Sequence, residues 1–206
     1  MPEINLPVIL LAALMNTASP GPANLTIAGT AMHDGRRQAL ALAAGVLTGS
    51  MVWSTLAALG FSALMLTNAW LATGMRYFGA CYLLYLAFRS ARSAVENNTV
   101  RAATGPAMAL HLLYLKGLAL HLTNPKAILF FASLFAIAVP PGMPPQTLAV
   151  VIGAIAFQSA GIFIGYAFLF SSPVAVKVYI RLKRWFEATF ALMFGAAAIK
   201  ILTAKV

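Results

Sequence analysis

The sequence predicts an all-α polytopic membrane protein, with six transmembrane helices in two inverted three-helix repeats and broken first and fourth helices. The 206 residues are 61% hydrophobic and 9% charged, whereas an ordinary soluble domain has roughly 25% charged residues. The chain contains six long apolar runs, and proline interrupts the first and the fourth at corresponding places. These observations exclude an ordinary soluble domain.

Each apolar run approaches the ~20 helical residues that a bilayer span requires. None of them alternates polar and apolar residues as a membrane β-strand does, so every span is predicted to be a helix. The runs are 4–32, 39–66, 70–88, 110–139, 147–170 and 185–202. They form one membrane domain, 1–206, with repeat one at about 1–92, a cytoplasmic linker at about 93–108 and repeat two at about 109–206.

The first break is Ser19-Pro20-Gly21-Pro22. Each proline removes a backbone donor and clashes with the preceding turn, while glycine loosens the backbone, so a helix cannot continue here. Serine is a favoured N-cap and proline a favoured first helical residue. We therefore expect one helix to end near Ala18 and a second to begin at Pro20. The free N–H groups at such a helix start form a site for an anion inside the membrane.

The second break, Asn124-Pro125-Lys126, lies 105 residues after the first, which is about half the chain. Two internal repeats would give this spacing. Residues 79–84 and 187–192 add a weaker echo at a spacing of 108. At ~1.5 Å per residue each break lies about 21 to 23 Å along its run, and some tilt or an interfacial first turn would bring both breaks close to the bilayer midplane. Because the two runs cross in opposite directions, both helix N-termini are predicted to converge on one cavity.

Basic residues set the predicted orientation. They lie in the connections after the first, third and fifth runs, and connections rich in Lys and Arg stay in the cytoplasm. The other connections carry no charge, and the N-terminus carries only Glu3. Six spans then place both termini outside. Arg76, near the outer end of the third run, is an exception that has two interpretations, a snorkelling side chain or a residue of the transport pathway.

The composition also limits the kinds of ligand. The net charge of +10 does not indicate a nucleic-acid partner, because the basic residues mark the connections between apolar runs. The single cysteine, Cys81, excludes an intrachain disulfide. Hard metal ions prefer carboxylate oxygens, and the chain has only four acidic residues. No metal site and no cofactor are predicted.

A series of motifs resembles the LysE/RhtB superfamily of amino-acid exporters. The motifs are Ser19-Pro20-Gly21-Pro22, Gly35-Arg36-Arg37, Gly45 through Gly49, Gly79-Ala80-Cys81-Tyr82-Leu83-Leu84-Tyr85-Leu86, and Asn124-Pro125-Lys126-Ala127 followed by Phe130-Phe131. The resemblance covers essentially the whole chain. It implies a six-helix protein of the bacterial-type inner membrane that exports amino acids or close derivatives and is driven by the proton gradient.

One position departs from this family. Many members carry an aspartate directly after the glycine of the second helix, and this chain has Ser50 after Gly49. The departure puts in doubt a proton-carrying acid at that position and a preference for cationic substrates.

The predicted substrate-binding residues are those of the two breaks: Ser19, Pro20, Gly21, Pro22, Asn124, Pro125 and Lys126. An ammonium near the midplane is costly unless it meets a cavity, an anion or carbonyl groups, so Lys126 is assigned to the pathway. The alternative is a lysine that only caps carbonyls at the end of the preceding half-helix. The prolines also have an alternative interpretation, in which they form only a structural kink.

His121, Ser50 and Arg76 are the predicted coupling or pathway residues. A histidine titrates near neutral pH, and His121 lies one turn before the second break. Its alternative is a neutral imidazole bonded to a neighbouring carbonyl. Glu187 is predicted near a membrane interface, and Tyr82 is assigned to packing of the bundle.

The predicted function is a secondary transporter that exports small neutral amino acids or derivatives from the cytoplasm, and not an enzyme. Neutral substrates are expected because all four acids are predicted in loops or near an interface, and an unpaired cation at depth is expensive. A divalent-cation exporter and, further behind, an intramembrane enzyme are the alternatives. The expected partners are the amino-acid substrate and the lipid bilayer. The sequence leaves open whether the chain forms a homodimer.

Overall fold

The computed structural model describes residues 4–67, 69–95, 108–140 and 142–203. All regular structure in these ranges is α-helical, as the sequence predicts. The helices are α1 Leu6–Ala18, α2 Pro22–His33, α3 Arg36–Thr67, α4 Ala69–Val95, α5 Leu110–Leu122, α6 Pro125–Ala138, α7 Pro145–Leu169 and α8 Pro173–Thr203. Most of the predicted linker, residues 96–107, lies outside the described residues.

The first and fourth apolar runs are each broken into two helices, which confirms that part of the prediction. The axes of α1 and α2 differ by 52°, and those of α5 and α6 differ by 56°. Among the described residues, Arg36–Gly60 and Pro145–Leu169 are each long and apolar enough to cross a membrane, and each bent pair qualifies when it is taken as one span. The chain is therefore a polytopic membrane protein, while the count of six spans stays a prediction.

The last helix is longer than its apolar run. The run covers 185–202, whereas α8 is Pro173–Thr203. Proline is favoured at a helix start, and the Lys and Arg residues between Pro173 and Trp185 are good helix formers. About three turns of basic helix therefore precede the apolar part.

The core of the described residues contains two hydrophobic clusters. The first cluster contains Ile9 of α1 and Phe135 of α6, and the second contains Ile27 of α2 and Leu113 of α5. The long helices α3 and α7 contribute to both clusters. Each break thus connects a helix in one cluster with a helix in the other, and the two broken helices run in opposite directions. The inverted relation of the complete repeats stays a prediction.

Glycines let α3 and α5 approach until their backbones touch. A Cβ atom at Gly45 would lie 1.9 Å from a carbonyl oxygen of α5, and one at Gly117 would lie 2.2 Å from a carbonyl oxygen of α3. Small residues allow this close packing in membrane helices. The same approach places His121 against α3, where a Cβ atom at Gly49 would lie 2.8 Å from the His121 Cβ.

Two connections meet at one end of the bundle. The Arg36 guanidinium carbon, just after the α2–α3 connection, lies 4.4 Å from the centre of the Phe168 ring. Its Nε donates to Ser171 Oγ in the α7–α8 connection at 3.4 Å. The basic residues in both connections predict that the connections lie on the same side of the membrane, and the contacts agree with that prediction. The identity of the side, cytoplasmic or external, stays a prediction.

Candidate functional site

The first break is two residues longer than predicted. Ser19 is the C-cap of α1, with its N–H donating to Met15 O at 3.0 Å, and α2 begins at Pro22 with Gly21 as N-cap. The prediction that α2 begins at Pro20 with Ser19 as N-cap is wrong. A residue before proline is driven into extended conformation, and Ser19 and Gly21 both precede a proline. The second proline therefore delays the helix start.

The second break has the predicted geometry. Asn124 is the N-cap of α6, and its Oδ1 accepts a hydrogen bond from the Lys126 backbone N–H at 3.0 Å. Pro125 is the first helical residue. The two helix starts therefore differ, because Asn124 caps the amides of α6 while Gly21 makes no side-chain cap for α2. Of these two helix starts, only that of α2 has backbone amides that no side chain caps.

Lys126 connects the two breaks. Its side chain is buried, and Nζ donates to Asn16 O at 2.8 Å, Ser19 O at 3.1 Å and Ser19 Oγ at 2.5 Å. An ammonium has three donors, so these three acceptors satisfy it. The lysine does cap carbonyls, but those of α1 in the other half of the chain and not those of the preceding helix α5. A Cβ atom at Gly21 would lie 3.4 Å from Nζ, so the ammonium lies beside the start of α2.

Three further side chains donate hydrogen bonds to the backbone at the breaks, and this role could not be predicted for them from the sequence. Tyr82 Oη donates to Lys126 O at 2.8 Å, and Tyr166 Oη donates to Ala18 O at 2.9 Å. Asn24 Nδ2 donates to Thr17 O at 2.6 Å and to Ser19 O at 3.1 Å. The signal that points to Asn24 is its amide inside an apolar run, because polar groups are costly there.

The residues around both breaks line a small cavity of about 30 Å³. A water molecule needs about 10–15 Å³ measured in this way, so the cavity is large enough for about two waters. It brings together six of the predicted site residues, namely Ser19, Gly21, Ser50, His121, Asn124 and Lys126. The three prolines do not line it; they set the backbone path around it. The side chain of Arg76 lies outside the described residues.

The cavity lining contains both positive groups and hydrogen-bond acceptors. The Lys126 ammonium and the start of α2 supply positive potential. Asn16 Oδ1, Asn24 Oδ1 and both ring nitrogens of His121 are buried atoms for which the described part of the chain provides no hydrogen-bond partner. The alternative for His121, an imidazole bonded to a neighbouring carbonyl, is therefore wrong for the described residues. Buried polar groups normally have partners, so these atoms can accept hydrogen bonds from, or donate them to, water or a bound ligand.

Glu187 is buried inside the described bundle. Its side chain is only 2% exposed, and it lies in the middle of α8, with more than three turns of helix on each side. Its position near a membrane interface stays a prediction. Glu187 acts electrostatically on Lys126 and on Tyr166. It does not line the cavity at the breaks, and the lining described there contains no carboxylate.

Metal-binding side chains are not grouped in the part of the chain that the structure describes. No three His, Cys, Asp or Glu residues there lie close enough together to hold one metal ion.

The chain is similar to known translocator and efflux proteins. Residues 14–205 match the family described as LysE type translocator. The threonine efflux protein of Escherichia coli (strain K12) is 29% identical over 203 residues, covering 96% of each chain. The leucine efflux protein of Salmonella choleraesuis (strain SC-B67) is 31% identical over 175 residues, covering 85% of this chain and 82% of the relative. No solved structure matches the chain.

Proposed function

The chain belongs to the LysE type translocator family, and we propose that it is a secondary transporter that exports small neutral amino acids, or close derivatives, from the cytoplasm. The observation that carries this proposal is the polarity of the cavity at the two breaks. Its positive groups suit a carboxylate and its hydrogen-bond acceptors suit an ammonium, and an α-amino acid carries both.

The carboxylate is assigned to the space between the α2 start and Lys126. Unsatisfied amides at a helix start bind anions, and α2 has no side-chain cap. The Lys126 ammonium lies within reach of the same place, next to Gly21. A carboxylate that takes one of the three ammonium hydrogen bonds also frees Ser19 or Asn16 at the end of α1. Substrate binding would thus loosen the contact that ties α6 to α1.

The α-ammonium group is assigned to the unpaired side-chain oxygens of Asn16 and Asn24. Amide oxygens accept hydrogen bonds from an ammonium without the cost of burying another full charge. A second ammonium or a guanidinium on the substrate would need a carboxylate, and the described cavity lining contains none. Neutral substrates are therefore favoured, in line with the relatives named for threonine and leucine efflux.

Export requires the cavity to open. A volume of about 30 Å³ is too small for an amino acid, so the cavity must widen before it can hold one. Transporters built from inverted repeats open by movement of one repeat against the other around a midplane site. We assign the movement to the two breaks, and proton coupling to His121 or Glu187.

Transport by reconstituted protein tests the role of Lys126. The experiment measures export of labelled threonine from loaded vesicles for the wild type, for Lys126→Met and for Lys116→Met. Lys116 is an exposed lysine of α5 and serves as the matched control. A hydrogen bond to a charged group is worth about 1.5–3 kcal/mol, so Lys126→Met should lower the apparent affinity about 10- to 100-fold. Normal threonine export by Lys126→Met with the same concentration dependence would refute the assigned carboxylate site.

A further inference from the structure

A second and larger cavity lies beside the polar one. It has a volume of about 350 Å³ and is enclosed by α1, α4, α6 and α8. Its lining is apolar and includes Leu11, Met15, Leu134, Ile137, Met193 and Phe194. The two polar side chains in the lining are already satisfied, because Ser133 Oγ donates to Leu129 O and Tyr82 Oη donates to Lys126 O. The cavity therefore offers contact to hydrocarbon and no open polar group.

The two cavities share a wall. Met15 lines the apolar cavity, and the next residue, Asn16, lines the polar one. On α6, Phe130 lines the apolar cavity and Phe131 the polar one. Tyr82 completes the wall, with its ring on the apolar side and its hydroxyl bonded to the Lys126 carbonyl. Met15 has an unbranched, flexible side chain, so this part of the wall can adjust by a change of rotamer.

We infer that the apolar cavity is the subsite for the side chain of the transported amino acid and that it selects aliphatic or thioether side chains of the size of valine, leucine or methionine. This inference rests on the proposed function, because the polar cavity must hold the carboxylate and the ammonium. Only the shared wall would separate the side chain of a zwitterion held there from the apolar cavity. A pocket of about 300–1,000 Å³ that is mostly apolar, with a few polar groups at one end, is typical of small-molecule sites.

A lipid acyl chain is the competing occupant. Val8 and Leu11 line the apolar cavity and are 55% and 49% exposed, so its mouth faces the lipid. Lipid in the cavity would affect all substrates alike, whereas a side-chain subsite discriminates between them. Selectivity therefore separates the two occupants.

The wild type provides the first measurement. Unlabelled alanine, valine and leucine compete with labelled alanine for export by reconstituted protein. One methylene in an apolar pocket is worth about 10-fold or more in selectivity, so the concentration for half-inhibition should fall at least 10-fold from alanine to leucine. Equal inhibition by the three amino acids would overturn the inference while leaving the proposed function intact. Failure of the wild type to export any amino acid would overturn both.

Filling the cavity provides the second measurement. Ala12 on α1 and Ala138 on α6 both line it, so Ala12→Phe and Ala138→Phe each reduce its volume. The matched control is Leu14→Phe, which adds its atoms on an exposed face of α1 away from the lining. Each filling variant should lower the ratio of leucine export to alanine export at least 10-fold, and Leu14→Phe should leave this ratio at the wild-type value. A ratio that stays constant in both filling variants would contradict the subsite and indicate lipid or a structural void.

Discussion

Lys126 is a buried lysine in the apolar core, where an ammonium group is energetically unfavourable unless it is hydrogen-bonded. A buried ammonium is tolerated only when acceptors surround it, and three acceptors from the other half of the chain do so here. The sequence allowed its assignment to the pathway because a lysine directly after a capped proline break is unusual in an apolar run. The partners of its side chain, Asn16 and Ser19, lie more than 100 residues away and no local pattern identifies them.

His121 is the residue for which a pH effect is expected. Both ring nitrogens lack a partner among the described residues, and the side chain lines the cavity near Lys126. Histidine is the side chain whose ordinary charge change lies closest to neutral pH, and burial beside the Lys126 ammonium opposes the positive form of His121. We expect His121→Gln to shift the pH dependence of export, measured in vesicles with a clamped internal pH.

A matched variant at Glu187 makes this test specific. Glu187→Gln removes the other buried titratable group that acts on Lys126 from within the described bundle. An unchanged pH profile in His121→Gln together with a flattened one in Glu187→Gln would assign coupling to the carboxylate and remove it from His121.

At the scale of the elements, the two breaks are the features that transport should depend on. Proline at a break fixes the backbone and leaves the preceding residue extended. We expect Pro20→Ala and Pro125→Ala each to impair export strongly while membrane insertion stays near the wild-type level, because the flanking helices keep their apolar faces. Export is measured in vesicles, and insertion by the amount of protein in the membrane fraction. Normal export by both variants would show that the breaks are structural kinks with no role in transport.

The elements also show why sequence reasoning succeeded at one break and failed in part at the other. Asn124 has one proline after it, so cap and helix start follow from local preferences, and the structure agrees. Ser19 is followed by two prolines with a glycine between them, and either proline can begin the helix. The choice of Pro22 places Gly21 beside Lys126, a contact between distant parts of the chain. Local preference could not decide it.

For the whole molecule, the orientation in the membrane is the main untested prediction. Basic residues lie in alternate connections, and the two such connections that contain Arg36 and Ser171 meet at one end of the bundle. We expect reporter fusions within residues 93–108 to report a cytoplasmic location and fusions after Val206 an external one. A cytoplasmic C-terminus would contradict either the orientation or the count of six spans.

The global arrangement could be predicted only in outline. Composition and proline placement gave the all-α membrane class, the two breaks and their antiparallel course through the core. The tyrosine contacts to each break, from Tyr82 and Tyr166, join helices that are remote in sequence. The burial of Glu187 depends on the length and packing of α8, which extends well beyond its apolar run. Such features follow from tertiary packing and leave no periodic signal in the sequence.

Competition between neutral and basic amino acids tests the central claim most directly. Export of labelled threonine by purified protein is measured in loaded vesicles, with unlabelled amino acids added on the loading side. In the proposed function the polar cavity pairs one carboxylate and one ammonium, and its described lining holds no acid for a second cation. We therefore predict that threonine, homoserine and leucine inhibit export of the label while lysine and arginine at the same concentration do not. Preferential inhibition and export of lysine or arginine would contradict the account.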